Sequence, residues 1–381
     1  MIETIKRLER YVSYPTISSN PIVEFAADLA QGAEDLGFNV HLLHSSPSKV
    51  NVLATIGPQD DSLVLSGHMD VVPTDGQNWS GDPFKLRQLD NRLVARGSCD
   101  MKGFIASTMT TLSTVPLEKL KRGLTLIWTH DEEVGCLGAQ QFIEQLQEHN
   151  YILPKSILIG EPTGMRYARM HGGHTSIEIS IFGKAAHSSK PELGCSAISF
   201  AAALIGLIND LEQKWRNHPI HVEGTSCHPL IHVAHIEGGE AINIIPAQCT
   251  LKLGLRAMPS QDSRLLISEI QDRLDSLSQK AVWQQIHAEL RVLQDAPPLH
   301  TCSGTHLENR LIAHGCHEGS PLPFSTDGGW FARAAAQPIV CGPGQISMAH
   351  QPDEHITIAE LASCDVFLKK LIQEWIGTHL P

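Results

Sequence analysis

Short apolar segments that alternate with helix-like segments most strongly constrain the fold of this 381-residue chain. The segments with strand character are 51–56, 62–65, 124–128 and 156–159. The segments with apolar residues at helical spacing are 21–36, 103–115 and 136–148. Strands that alternate with helices predict an α/β domain whose mostly parallel sheet is covered by helices on both faces.

A different order of elements interrupts this alternation in the middle of the chain. The strand-like segments are 175–181, 230–236, 248–256 and 288–293, and the helical ones are 196–215 and 260–278. The resulting order, β-α-β-β-α-β, predicts a ferredoxin-like α+β unit. Helices and a strand at 338–341 then return. We therefore predict one domain from 1–172 and 293–381, with a second domain, 173–292, inserted into it.

Composition argues against several classes of protein. The formal net charge of −12 disfavours a basic surface for nucleic acid. No apolar run reaches about 18 residues, so we expect no membrane span, and the first residues lack the apolar region of a secretory signal. The nine cysteines are scattered and form no C-x-x-C pair, which favours a reducing cytoplasm over a disulfide framework.

The first of five motifs near predicted strand ends is S-G-H-M-D, which contains His68 and Asp70. Residues i and i+2 of an extended segment point the same way. Asp70 can therefore orient the ring of His68 while the other ring nitrogen binds a metal, as carboxylates commonly do behind metal-binding histidines. A strand-end histidine beside a solvated aspartate is the alternative.

The second and third motifs are loops that carry carboxylates. Asp100 lies in G-S-C-D-M-K-G at the start of a predicted helix, where a lone aspartate is more often an N-cap. T-H-D-E-E-V-G places Asp131, Glu132 and Glu133 directly after an apolar strand. Like charges this close require a cation or full solvation. One glutamate can bind a divalent cation while its neighbour accepts a proton from water, and a solvated acidic turn is the alternative.

The fourth and fifth motifs are G-E-P-T, with Glu161 after a strand, and A-H-Q-P-D-E, with His350 after a Gly-Pro-Gly turn. A turn carboxylate and a loop histidine are the alternatives. The five motifs together indicate a metal site more specifically than any one of them does, because a bridging Asp100 would give each of two metals three protein ligands. Mixed nitrogen and oxygen ligands suit zinc, cobalt or manganese better than calcium. The candidate ligands are His68, Asp100, Glu133, Glu161 and His350.

Together the motifs resemble those of the M20 metallopeptidase family. The stretches that carry the resemblance are S-G-H-M-D-V-V-P, G-S-C-D-M-K-G, D-E-E-V-G, G-E-P-T, A-A-H-S-S and G-P-G-Q-I-S-M-A-H-Q-P-D-E. The resemblance runs from about residue 14 to residue 358. It implies a zinc-peptidase-like catalytic domain, and an inserted domain that forms a homodimer and closes over the site as a lid.

The resemblance also implies a dinuclear zinc or cobalt amidohydrolase and a role for each motif residue. One metal would be held by His68, Asp100 and Glu161, and the other by Asp100, Glu133 and His350. Glu132 would be the general base, Asp70 would orient His68, and the peptide bond after Asp100 would be cis.

Three positions in the inserted domain match residues that bind substrate or stabilise the reaction in the family. His187 matches a histidine that steadies the oxyanion, often from the partner subunit, while Asn243 and Arg256 match substrate contacts. The arginine fork suits a substrate carboxylate. Without the resemblance, His187 and Arg256 would be exposed loop and strand-end residues. Asp327 could pair with a substrate ammonium or cap a helix.

The implied reaction is removal of the acetyl group from N2-acetyl-L-ornithine, a step of arginine biosynthesis, because G-E-P-T and A-H-Q-P-D-E are most similar to that branch. A succinyl-diaminopimelate desuccinylase, or another N-acyl-amino-acid deacylase or dipeptidase, is the alternative within the family. A non-catalytic metal-binding protein, or a binding module for amino acids, is the alternative of another class. We expect a small-molecule partner, and neither nucleic acid nor membrane.

Overall fold

The computed structural model describes residues 1–118, 120–148 and 151–377. The chain divides into a first unit (Met1–Met170, His300–Leu322 and Thr326–Pro381) and an inserted unit (His171–Leu299 with Pro323–Ser325). The boundaries predicted at 172/173 and 292/293 differ from this division. The second of them would cut a strand that continues to Ala296, so the inserted unit extends further along the chain than predicted.

The helices and strands have the following bounds. The helices are α1 (Ile2–Val12), α2 (Val23–Glu34), α3 (Lys102–Leu112), α4 (Leu137–Glu148), α5 (Ala197–Asn217), α6 (Ser263–Ser278), α7 (His306–Ala313), α8 (Gly328–Arg333) and α9 (Ile358–Trp375). The strands are β1 (Asn39–Ser46), β2 (Lys49–Ile56), β3 (Leu63–His68), β4 (Arg87–Leu89), β5 (Arg92–Val94), β6 (Leu124–Thr129), β7 (Ser156–Pro162), β8 (Met170–His171), β9 (His174–Phe182), β10 (Ala186–His187), β11 (Ile220–Val222), β12 (Thr225–Cys227), β13 (Leu230–Gly238), β14 (Ile244–Ile245), β15 (Gln248–Arg256), β16 (His287–Ala296), β17 (Leu299–His300), β18 (Gln337–Gly342) and β19 (His355–Thr357).

A six-stranded sheet with the order β1-β2-β6-β3-β7-β18 forms the centre of the first unit. Strands β6, β3, β7 and β18 are parallel, and β2 and β1 continue the sheet as antiparallel neighbours. Every residue of β3 and β6 is buried, as expected for parallel strands that are covered on both faces. The mostly parallel sheet predicted from the sequence is therefore confirmed.

Helix α3 is the most deeply buried helix near the sheet, since all eleven of its residues are buried. It packs against α1, α9 and the strands β3 and β7. Helix α9 begins with a capping box, in which Thr357 and Glu360 satisfy each other's backbone N–H groups. Packing on several sides fixes the start of α3, and Asp100 lies two residues before it.

The inserted unit contains a four-stranded antiparallel sheet with the order β13-β15-β9-β16. Helices α5 and α6 pack against it over a separate apolar core. In β9, Ile177, Ile179 and Ile181 alternate inward, which is the period-two pattern that predicted the strand. The strand order is that of the predicted ferredoxin-like unit.

Two further observations concern the chain as a whole. Among the described residues, no helix has the length and apolar character needed to span a bilayer. All nine cysteines are free thiols.

Candidate metal centre

Four parallel strands of the first unit bring the predicted ligands to one edge of the sheet. The carboxyl ends of parallel strands meet at the same edge, which is where ligands bind in α/β folds. His68 ends β3, Glu133 follows β6, Glu161 lies at the end of β7, and His350 follows β18. Asp100 joins them from the segment that leads into α3. Burial is nearly complete for the other four side chains, whereas the side chain of His350 is 48% exposed.

Asp100 lies between two halves of this cluster. Nε2 of His68 is 3.0 Å from Asp100 Oδ1, and Nε2 of His350 is 3.3 Å from Asp100 Oδ2. His68 Nε2 also lies 3.8 Å from Glu161 Oε1, and His350 Nε2 lies 3.0 Å from Glu133 Oε2. The two oxygens of one carboxylate thus face different histidines, each with its own glutamate. A pair of metal ions that share a bridging carboxylate requires this arrangement.

Glu132 and Glu133 are neighbours in sequence and both have a carboxylate oxygen within 4.8 Å of His68, but their other partners differ. A carboxylate oxygen of Glu132 lies within 4.8 Å of ligand atoms of His68 and Glu161, whereas Glu133 faces His350. The Cys136 thiol donates to Glu132 Oε1 at 3.5 Å. Glu132 therefore stands beside the first half of the cluster.

The structure corrects the predicted role of Asp70. His68 Nδ1 lies 2.9 Å from the backbone oxygen of Asp70 but 3.7 Å from its carboxylate, which is too long for a hydrogen bond. The carboxylate instead accepts from the Ser18 hydroxyl and from the N–H groups of Glu132 and Glu133, at 2.7, 3.0 and 3.2 Å. These three donors hold both oxygens of the carboxylate. A carbonyl thus orients His68, and the Asp70 side chain orients the loop with the two glutamates.

The alternative that Asp100 caps a helix is not supported by the geometry. The N-cap of α3 is Met101, and no side-chain capping hydrogen bond is formed there. The peptide bond between Asp100 and Met101 is cis, as the resemblance implied.

Sequence reasoning missed a buried pair behind Asp100. Glu354 Oε1 accepts from the N–H groups of Cys99 and Asp100, at 2.9 and 3.0 Å. Glu354 Oε2 meets Arg96 at 2.6 Å, and both side chains are only 1% exposed. Glu354 lies in the quoted A-H-Q-P-D-E motif, but the motif was interpreted only for its histidine. The pair holds the backbone of the bridging residue.

Arg96, which pairs with Glu354, also contacts the loop of His350, the most exposed of the candidate ligands. Its second nitrogen donates to Gln77 Oε1 at 2.6 Å, and Gln77 Nε2 donates to the carbonyl of His350 at 3.0 Å. The Arg96 guanidinium also lies over the ring of Trp79. One hydrogen-bonded network, buried at Arg96 and Glu354 and exposed at Gln77, therefore contacts both Asp100 and His350.

The electrostatics of the cluster reflect an excess of buried carboxylates. Burial raises the pKa of Glu132 and Glu161 well above the usual range, and the neighbouring charges of Glu161 and Asp100, respectively, add to this. Burial beside Asp100 raises the pKa of Glu133 to about 7. These shifts express the cost of several like charges in a dry site.

The two histidines respond in the opposite direction. Hydrogen bonds with Asp100 and Glu133 raise the pKa of His350 to about 10. Burial acts to lower the pKa of His68, but Asp100 and Glu161 raise it well above its ordinary value. Burial acts to raise the pKa of Asp100, yet hydrogen bonds from the two histidines hold it below the ordinary range. Two imidazoles among at least four buried carboxylates are a donor set that fits two divalent cations of the zinc or cobalt type.

A further carboxylate, Asp327, lies beside Glu132. It occupies the N-cap position of α8 but makes no side-chain capping hydrogen bond there, so the helix-cap alternative is wrong. Its Oδ2 accepts from the Thr129 hydroxyl at 2.6 Å. Ligand atoms of Asp327, Glu132 and Cys136 lie within 4.8 Å of one another. Burial raises the pKa of Asp327 to about 6.

The predicted residues of the inserted unit lie on its loops and strand ends. The exposed His187 pairs with Ile244 across β10 and β14, and the Ser188 N–H donates to the carbonyl of Asn243 at 2.9 Å. His187 and Asn243 therefore belong to adjoining segments. Arg256, also exposed, is the last residue of β15 and lies opposite Leu230.

Comparisons with known proteins support the same interpretation. The profile of a family described as Peptidase family M20/M25/M40 matches residues 64–374. An acetylornithine deacetylase from Pasteurella multocida (strain Pm70) is 32% identical over 353 residues, which cover 91% of this chain and 90% of that protein. A solved M20 metallo-carboxypeptidase from Sulfolobus solfataricus has a TM-score of 0.74 at 20% identity, with coverage of 99% and 100%. A dinuclear metal-binding M20 peptidase from Bacillus subtilis has a TM-score of 0.65 at 15% identity, with full coverage of both chains. The two structures confirm the fold class predicted from the sequence.

Proposed function

The chain belongs to the M20/M25/M40 peptidase family, and on this premise we propose that it hydrolyses N2-acetyl-L-ornithine to L-ornithine and acetate. The observation that supports a hydrolase is the convergence of two histidines and two glutamates around Asp100, with Glu132 beside them. The name of the curated relative, a deacetylase that matches nine tenths of each chain, supports the choice of substrate.

We propose that two divalent cations, zinc or cobalt, occupy the two halves of the cluster. His68 and Glu161 would hold one, Glu133 and His350 the other, and Asp100 would hold both. When bound, the cations lower the pKa of a water molecule towards neutrality and polarise the carbonyl of the substrate. Glu354 and Arg96 fix the backbone of Asp100, so its two oxygens keep their separate orientations.

Glu132 acts as the general base in this proposal. The Cys136 thiol donates to Oε1, which leaves Oε2 to accept the proton of the attacking water. Burial raises the pKa of Glu132 well above its ordinary range, which makes its carboxylate a stronger base. Glu132 then delivers that proton to the nitrogen of the leaving amine. The Asp70 carboxylate holds the backbone of Glu132 in place throughout.

We assign His187 to the oxyanion, and Asn243 and Arg256 to the remainder of the substrate. The Ser189 N–H donates to His187 Nδ1 at 3.2 Å, so Nδ1 is an acceptor and the ring proton lies on Nε2. That tautomer can donate a hydrogen bond to an oxyanion. The guanidinium of Arg256 can bind the substrate carboxylate through two nitrogens.

We also propose that the inserted unit forms a homodimer and closes over the site, so that the partner subunit's His187 reaches the substrate. Exposed apolar side chains on this unit, such as Leu193, Ile236 and Ile242, support the proposal. The molar mass in solution, measured by light scattering, tests it. A monomer at micromolar concentration would contradict it.

Metal analysis combined with a substrate panel tests the proposed function. The panel contains N2-acetyl-L-ornithine, N-acetyl-citrulline, N-succinyl-L,L-diaminopimelate and a dipeptide. We expect two cations per chain, loss of turnover with a chelator, and the highest kcat/KM on N2-acetyl-L-ornithine. His350→Ala should lose metal, whereas His287→Ala, which removes an exposed histidine of the inserted unit, should keep it.

Each contrary outcome has a distinct meaning. A higher kcat/KM on the succinyl compound or on the dipeptide would assign a different substrate within the same family. Bound metal without turnover of any N-acyl amino acid or dipeptide would point to a non-catalytic metal-binding protein. Turnover that survives removal of all metal would contradict the metal-dependent mechanism.

A further inference from the structure

One oxygen of the buried Asp327 has no hydrogen-bond partner among the described residues. The residue is 2% exposed, and Oδ2 is occupied by the Thr129 hydroxyl, whereas Oδ1 is buried and unpaired. Buried carboxylate oxygens are nearly always hydrogen-bonded, because an unpaired one loses its hydration without compensation. The unpaired Oδ1 therefore indicates a ligand with a donor group.

The groups around Asp327 define the chemistry of that ligand. Glu132 presents a second carboxylate, and Cys136 presents a thiol that donates to Glu132. Burial raises the pKa of this thiol well above its ordinary value, so the sulfur keeps its proton and is a poor metal ligand. Two carboxylates and a protonated thiol call for a positively charged hydrogen-bond donor more than for a third metal ion.

We propose that the space between Asp327 and Glu132 receives the ammonium group of the amine product. This inference rests on the proposed function. Two oxygens that each accept a bond of about 2.8 Å from one tetrahedral nitrogen lie about 4.6 Å apart, and the ligand atoms of Asp327 and Glu132 lie within 4.8 Å of each other. The leaving nitrogen must also be within reach of Glu132, since Glu132 protonates it.

The proton balance of the reaction explains why a second carboxylate is useful at this position. Hydrolysis of an amide by one water gives a carboxylate and an ammonium, and both protons of the water end on nitrogen. The first passes through Glu132 as the carbon–nitrogen bond breaks, and the second comes from the carboxylic acid that forms. The substrate nitrogen is neutral with one N–H, whereas the product nitrogen is cationic with three. Asp327 therefore binds the nitrogen more tightly as it becomes charged.

Calorimetric titration of the metal-loaded enzyme with three compounds tests the inference. L-ornithine carries the new α-ammonium group, 5-aminopentanoate keeps only the carboxylate and the side-chain ammonium, and acetate is the other product. In Asp327→Asn, we expect the Kd of L-ornithine to rise by about tenfold or more. The Kd of the other two compounds should change less than about twofold. Asp61→Asn, which removes an exposed carboxylate paired with Arg122, is the matched control and should change none of them.

A second variant keeps the test decisive if Asp327→Asn does not fold. Thr129→Val retains the carboxylate but removes the hydroxyl that holds Oδ2. It should weaken the binding of L-ornithine selectively, by a smaller factor than Asp327→Asn does. An unchanged Kd for L-ornithine in the folded variants would overturn the inference. Equally weakened binding of all three compounds would also overturn it, as would a third bound cation in the wild-type enzyme that is missing from Asp327→Asn.

The same titration separates this inference from the proposed function. Selective loss of L-ornithine binding by a protein without deacetylase activity would support the ammonium subsite and contradict the proposed reaction. Deacetylase activity with unchanged L-ornithine binding in Asp327→Asn would support the proposed reaction and overturn only the subsite.

Discussion

At the scale of single residues, the different roles proposed for Glu132 and Glu133 depend on a backbone that the Asp70 carboxylate holds from one side. The Asp70 carboxylate accepts from both N–H groups, and both side chains lie near His68, but Glu133 also pairs with His350. Sequence reasoning identified the residue types and their places at strand ends. It did not identify the partners of the Asp70 carboxylate, because they lie 52 positions before Asp70 and 62 and 63 positions after it.

The paired variants Glu132→Gln and Glu133→Gln test this division of labour. We expect Glu132→Gln to keep two cations and to lower kcat by about 10²–10⁴-fold, since a general base contributes about that much. Glu133→Gln should instead lose metal, because an amide is a weaker ligand than a carboxylate. Metal content by mass spectrometry and kcat on N2-acetyl-L-ornithine check both expectations. Near-normal turnover in Glu132→Gln would show that another group is the base.

The raised pKa values of the ligands predict how metal-free protein responds to pH. Its His350, with a pKa of about 10, is protonated at pH 7, and the pKa of His68 is also raised well above its ordinary value. A histidine whose pKa is raised on folding stabilises the folded state below about pH 6.5, and this stability is lost as the pH rises through the raised value. Metal-free protein should therefore unfold more easily at pH 9 than at pH 6.5.

Cation binding must displace these protons, so metal affinity should rise with pH. Titration calorimetry at pH 7 in two buffers of different ionisation enthalpy measures the protons released, and thermal unfolding at the two pH values measures the stability. Metal binding without proton release would contradict the assignment of His350 and His68 as ligands.

At the scale of helices and strands, the apolar pattern predicted most of the buried elements but missed some exposed ones. Strand β1 was missed because no residue in it is fully buried, so its sequence lacks a clear alternation. Helix α1 is charged over much of its surface and buries only Thr4, Leu8, Tyr11 and Val12. The apolar residues of α1 do recur at helical spacing, so this helix could have been predicted from its sequence.

The end of β7 depends on a close approach between Gly160 and α3. A Cβ atom at this position would lie 2.0 Å from the Phe104 ring, and Glu161 is the next residue. We expect Gly160→Ala to lower the free energy of unfolding by about 1–3 kcal/mol or more, because the buried core cannot absorb the added atom. It should also displace Glu161 and weaken metal binding.

Gly206→Ala in α5 provides the matched control, since nothing lies within 4 Å of its added Cβ. That change should raise the free energy of unfolding by up to about 1 kcal/mol through helix propensity. Urea unfolding of both variants, with metal analysis, measures the contrast. Equal stability of the two variants would show that the contact between Gly160 and Phe104 is not restrictive.

At the scale of the whole molecule, the chain leaves and rejoins the first unit at neighbouring points. The Thr301 N–H donates to the carbonyl of Arg169 at 2.9 Å, and the Arg169 side chain donates to the carbonyl of Thr301 at 3.0 Å. The proposed metal ligands and Glu132 all belong to the first unit. The proposed metal site therefore belongs to the first unit, whereas His187, Asn243 and Arg256 belong to the inserted unit.

Replacement of residues 171–299 by a short glycine-serine linker tests this separation. We expect the shortened chain to fold and to bind two cations, because its core and its proposed ligands are retained. Its kcat should fall to the background rate, because the residues assigned to the oxyanion and the substrate are removed. Circular dichroism, metal analysis and turnover check these points. A folded chain that binds no metal would show that the inserted unit contributes to the metal site.

The distribution of the site along the chain has a consequence for biosynthesis. The bridging Asp100 is held by Glu354, and His350 follows β18, which joins the sheet only after the whole insertion. On the ribosome, His68, Asp100, Glu133 and Glu161 are therefore synthesised long before His350 completes the set of proposed ligands. In the proposed site, metal loading is therefore a late step of maturation, and a product of premature termination before residue 350 would lack one of the proposed ligands.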